Sequence, residues 1–136
     1  MRIFFDNCTS HVLAATLNGY VGHLGHDAVH IRDLPCGPHA TDLEWMSFLN
    51  ESGADWLVYT ADLRIQKNRA ERQAFRQAGL KGIVLAPGYQ KHKLYQQASL
   101  LLWRWPDVEH TIRRFQPPFL FELPANRNGG LRSLPL

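Results

Sequence analysis

The apolar positions of the chain fall into short blocks separated by stretches of helical period. Arg2–Phe5 is a compact apolar run, and Ala28–Ile31, Trp56–Tyr59 and Ile83–Ala86 are three more. Each is short, rich in β-branched or aromatic side chains, and flanked by aspartate, glycine or proline, the signature of a buried strand. Between them the period lengthens. Thr9 or Ser10 caps a helix from about His11 to Asn18, with Val12, Leu13, Ala15 and Leu17 as its apolar side, and Gly19, Gly22 and Gly25 break it. Thr41 and Glu44 make a T-x-x-E capping box at the head of "TDLEWMSFLNESG", in which Leu43, Trp45, Met46 and Leu49 face the core and Gly53 ends the helix. A third helix spans "IQKNRAERQAFRQAG" up to Gly79. A fourth runs through "YQKHKLYQQASLLLWRW", and Pro106 begins another that reaches Phe115. After Pro117 and Pro118, "FLFEL" reads as a fifth, edge strand and "PANRNGGLRSLPL" as a flexible tail.

Strands alternating with helices predict an α/β fold: a single three-layer α/β/α domain with a mainly parallel sheet of four to five strands. The domain is expected over residues 1–116, with the edge strand and tail over 117–136. A chain of 136 residues suits one domain, and 45% hydrophobic residues supply its core without staples. Cys8 and Cys36 sit in no metal-binding or disulfide pattern. The start reads as a strand rather than a leader, and no apolar window reaches the roughly 18 residues of a spanning helix. The expectation is a cytoplasmic protein with reduced thiols and no membrane contact.

In such sheets ligands bind at the carboxyl ends of the strands, near the switch in strand order. Asp6 follows the first strand and Asp62 the third. If those strands are neighbours, the two carboxylates stand side by side, an arrangement that raises a pKa or demands a cation. Oxygen donors suit Mg²⁺ or Mn²⁺. A third acid strengthens the case. Asp42, in the first turn of the second helix, falls on the same rim and is preferred to Glu44, which the capping box employs, and to Asp33, in a loop. Thr60 can fix a carboxylate rotamer or orient a water. Each has a purely structural alternative: an Asx-turn for Asp6, an N-cap for Asp62, a helix-dipole partner for Asp42, and a β-branched strand end for Thr60.

The net charge of +3 fits a polyanion partner only weakly. Distribution says more. Arg64 and Lys67 lie closest to the Asp62 rim and read as phosphate holders. Arg69, Arg72 and Arg76 share one helical face, and Arg72 and Arg76 read as solvated. Tyr95 and Trp103, among Lys91, Lys93 and Arg104, look like packing or a partner-binding face rather than base-stacking platforms. "GYVGHLGH" follows a helix rather than a strand, so it is no phosphate-binding loop.

Together "IFFDN", "IRDLPCGPHATDLEW", "LVYTADLRIQKN" and "LAPGYQ" resemble the PIN-domain family, in particular the short PIN-like domains related to VapC-type toxins, over about Met1 to Phe115. The resemblance implies a Mg²⁺- or Mn²⁺-dependent ribonuclease with Asp6, Asp42 and Asp62 as metal ligands and catalytic residues. It also implies an RNA substrate, a cognate antitoxin protein, and a homodimer or toxin–antitoxin complex. The family's T-x-D-x-D segment reads here Thr60-Ala61-Asp62-Leu63-Arg64, with arginine in place of the last acid. That departure motivates an alternative: a catalytically degenerate PIN-like module that binds RNA or protein. A third reading, a phospho-acceptor with Asp6 as nucleophile, is weakened because Cys8 stands where a second aspartate would be expected.

Overall fold

Each apolar block becomes a strand in the computed structural model, which describes residues 1–136. The order along the chain is β1 (Arg2–Phe5), α1 (His11–Val21), β2 (Asp27–His30), α2 (Asp42–Ser52), β3 (Trp56–Thr60), α3 (Arg64–Lys67), α4 (Arg69–Gln77), β4 (Lys81–Leu85), α5 (Leu94–Arg114), β5 (Phe119–Leu123) and β6 (Arg132–Leu134). They form one six-stranded sheet in the order β2-β1-β3-β4-β5-β6. The first five strands are parallel, and β6 returns antiparallel to β5.

Alternation along each strand separates two cores, because successive side chains point to opposite faces. Ile3, Phe5, Leu57, Tyr59, Ile83 and Leu85 face α1 and α5, where Leu13, Leu17, Leu101, Trp105 and Val108 meet them. Phe4, Trp56, Val58 and Val84 face the other way, against Trp45, Met46 and Leu49 of α2, Ile65 of α3 and Phe75 of α4. This is the three-layer α/β/α architecture expected.

Several boundaries move. The first helix continues through Gly19 to Val21 and closes by a short 3₁₀ turn ending at Gly25, whose φ of +84° is the left-handed conformation that glycine adopts without steric cost. Its buried side is Leu13, Ala14, Leu17 and Val21, so Val12 and Ala15 face solvent. The single helix expected after Asp62 is two pieces. Asn68 breaks it, caps the second piece by accepting from Glu71 N, and so starts α4 afresh. Pro106 begins no new helix but sits inside the 21-residue α5. "FLFEL" is not an edge strand, because the tail pairs with it: Leu120 lies opposite Leu134, and Glu122 bonds Arg132 at 3.1 Å. Arg104, 2% exposed, holds the intervening loop through the carbonyls of Asn126 and Gly129.

The connections have one consequence for the surface. The steps from β3 to β4 and from β4 to β5 run in the same direction across the sheet. Yet α4 packs on one face and α5 on the other, so the two crossovers have opposite hands. The usual preference for one hand would have placed α5 beside α4. Instead α4 has α2 on one flank and no helix on the other.

Candidate active site

The chain steps from β1 outward to β2 and then returns past β1 to β3. The strand order therefore reverses between β1 and β3, and that switch opens a crevice at their carboxyl ends. Phe5 is in register with Tyr59, which sets Asp6 beside Thr60. The Thr60 hydroxyl donates to Asp6 Oδ2, and the Cys8 N–H donates to Asp6 Oδ1 at 3.1 Å. Thr60 Oγ1 in turn accepts from Asp62 N at 2.9 Å, so one threonine positions both acids. Both are buried, Asp6 at 2% exposure and Asp62 at 7%.

The first turn of α2 brings Asp42 to the same rim, where the Trp45 indole donates to its Oδ1 at 2.9 Å. Asp42 comes within hydrogen-bonding reach of both Asp62 and Glu71. A cleft of about 400 Å³ is lined by Asp6, Cys8, Asp42, Arg64 and Glu71 among others. Glu71 is the residue that sequence reasoning missed. Its signal was present: N-x-x-E at Asn68–Glu71 marks a helix start and puts a glutamate in a first turn at the rim. Reading one unbroken helix hid that turn. Glu71 does not close the capping box with its side chain; its Oε2 is buried and has no hydrogen-bond partner.

The other candidates lie elsewhere. Glu44 stays in its capping box with Thr41. Asp33 is exposed and pairs with Arg32. Lys67 is exposed and lines no part of the cleft. Arg64 is at the cleft and binds Asp62 in a fork, Nη2 to Oδ2 at 2.7 Å and Nε to both oxygens at 3.0 Å.

The electrostatics follow from this crowding. Burial pushes the Asp6 carboxyl up to about 7, against the opposing effect of its bonds from Thr60 and Cys8 and with a further push from Asp42 and Asp62. Glu71 is raised by burial and then by Asp42 and Asp62. Asp62 goes the other way: burial acts to raise it, but the bonds and charge of Arg64 outweigh that and hold it low. Desolvation, then Asp6, Asp62 and Asp42, push the Cys8 thiol up to about 11, so it is no thiolate nucleophile near neutral pH.

Four carboxylates, one of them with an orphaned oxygen, supply the donor chemistry of a hard divalent cation. They are not a finished cage, since no three of them stand together in ligating geometry. Asp62 is engaged by Arg64 and Asp6 by Thr60 and Cys8. A cation would have to draw Asp62 off Arg64.

The model of the family described as a PIN like domain matches residues 1–87, a span that contains β1 to β4 and all four acids. No curated protein and no solved structure matches the chain.

Proposed function

The chain belongs to the PIN-like domain family, and on that premise we propose that it is a Mg²⁺- or Mn²⁺-dependent endoribonuclease acting at the carboxylate cleft. The observation that carries this is the gathering of buried Asp6 and Asp62 with half-buried Asp42 and Glu71 at one crevice, with a Glu71 oxygen left without a partner. These four would hold the metal. When bound, it supplies activation of water and neutralisation of charge on the scissile phosphate. The protein's own groups prepare the site. Thr60 fixes the rotamer of Asp6 and holds the backbone of Asp62. The raised Asp6 carboxyl takes up a proton more readily than a free one, and a cation would compete with that proton. Arg64, released from Asp62, is placed to grip substrate phosphate through its planar fork, with Lys67 further out.

The finer reading is the toxin of a VapBC-like type II pair. The chain would then be silenced by a cognate antitoxin and work as a homodimer or a toxin–antitoxin complex. Exposed Leu94, Tyr95 and Trp103 along α5 supply a surface for such a partner.

One observation favours a second reading. Arg64 already neutralises Asp62, as it would in a degenerate module that binds RNA or protein without cutting. Calorimetry of Mn²⁺ binding to the parent and to Asp62→Asn, followed by RNA cleavage with Asp6→Asn, separates the two. The nuclease reading expects binding and cleavage in the parent and loss of each in its variant. Full cleavage by Asp6→Asn would sink the assignment. No Mn²⁺ binding by the parent would leave the degenerate module.

A further inference from the structure

The flank of α4 that no helix covers carries an open cleft. It has a volume of about 610 Å³ and is lined by Arg69, Arg72, Gln73, Arg76, Gln77 and Pro118. The seven ion pairs of the chain include none of these arginines. The sequence expectation of a plain solvated face for Arg72 and Arg76 therefore changes: three unpaired guanidinium groups share a concave surface, and Arg72 is half-buried.

We propose that this cleft holds the sugar–phosphate backbone of an RNA strand extending from the carboxylate cleft. The choice of RNA over DNA rests on the ribonuclease reading; the affinity for a nucleic-acid backbone does not. Spacing supports it. From Arg69 to Arg76 the helix rises about 10 Å, which matches roughly three nucleotides of a stacked strand at about 3.4 Å each. Guanidinium forks suit phosphate oxygens, and the amides of Gln73 and Gln77 line the same cleft as neutral donors and acceptors for sugar hydroxyls. The lining also argues against a protein partner, since it contains no aromatic or aliphatic anchor apart from the Pro118 ring. Continuity supports it as well: α4 starts at the carboxyl rim, with Glu71 in the acid cleft, and runs toward the start of β5 at the opposite rim. A strand lying along the arginines would have its end delivered to the acids.

The test is fluorescence anisotropy with a labelled 12-nucleotide RNA of mixed sequence, in EDTA so that nothing is cut, over a series of salt concentrations. The Arg69→Gln, Arg72→Gln, Arg76→Gln triple variant is expected to bind roughly tenfold or more weakly, and its slope of log K against log salt to fall by about 2, for three lost phosphate contacts on a single strand. The corresponding triple arginine-to-lysine variant should keep the slope. Arg113→Gln with Arg114→Gln, at the far end of α5, should change neither quantity. The proposal is overturned by unchanged binding in the triple variant, by an equal loss in the α5 variant, by absence of binding in the parent, or by polyglutamate of matched charge displacing the RNA as readily as RNA itself. If binding is intact and the parent does not cleave with Mn²⁺, the nuclease reading falls and the backbone cleft stands. If the triple variant binds normally and the parent cleaves, the reverse holds.

Discussion

A single carboxylate sets much of the behaviour of the site. Asp6 has an ordinary value of 3.8 and is pushed up to about 7 in the fold. Its neutral form therefore favours folding. That contribution is whole below about pH 4 and is lost as the pH rises through about 7. Asp6→Asn, fixed in the neutral state, should leave stability nearly unchanged at about pH 4. At about pH 8, without metal, it should be more stable than the parent by roughly 1–4 kcal/mol. Denaturant melts at the two pH values check this; equal stability at pH 8 would mean that Asp6 ionises without cost. Arg64 makes the opposite trade. It is largely exposed yet engages Asp62 with two of its nitrogens, so it competes with any cation for that carboxylate. Arg64→Ala is expected to tighten Mn²⁺ binding several-fold while weakening RNA cleavage, measured by calorimetry and by turnover of a labelled RNA. Weaker Mn²⁺ binding would show that Arg64 supports the site rather than blocking it.

At the scale of the element, α4 is the piece on which both surfaces depend. It seats on the sheet through Phe75, and the seat is narrow. A Cβ on Gly82 of β4 would come within 2.6 Å of Leu120 Cδ1 and 2.7 Å of Phe75 Cζ. Gly82→Ala should therefore lift α4 from the sheet, destabilise the fold by about 1–3 kcal/mol, and loosen Mn²⁺ binding because Glu71 moves with the helix. Thermal melts and calorimetry on the same variant read both effects, and a variant as stable as the parent would show that α4 accommodates the methyl group. The division of α3 from α4 was only partly legible. Asn68 is a strong N-cap type, but the run around it has enough arginine, glutamine and alanine to read as one helix. Whether such a helix breaks is decided by where Ile65 and Phe75 must be buried, and that is a tertiary demand.

The whole molecule joins parts that the family match does not span. That match ends at residue 87, yet one of the two cores takes Leu101, Trp105 and Val108 from α5 and Phe119, Phe121 and Leu123 from β5. A fragment of residues 1–87 would expose that face of β1, β3 and β4. It is expected to lack a cooperative melt and to give poorly dispersed amide NMR signals; a well-folded fragment would show that α5 and β5 are accessories. No helix is long and apolar enough to cross a membrane; α5, the longest, carries Arg104, Asp107, Glu109, Arg113 and Arg114 along its second half.

The chain alone determined the α/β alternation, the strands as short apolar blocks, and the placing of Asp6 and Asp62 at strand ends, since all three depend on residues close in sequence. The capping box that starts α2 put Asp42 in a first turn by the same local logic. What lay beyond it was pairing over distance. β6 pairs with β5 although "RSL" has little strand propensity, because it completes hydrogen bonds that β5 offers. Glu71 reaches Asp42 across 29 positions only because α2 and α4 pack side by side. The three arginines form a cleft rather than a solvated face only because α5 crosses to the other side of the sheet. Local patterns fix which segments become helix or strand; burial of both sheet faces at once decides which neighbours they acquire, and here the neighbours make the site.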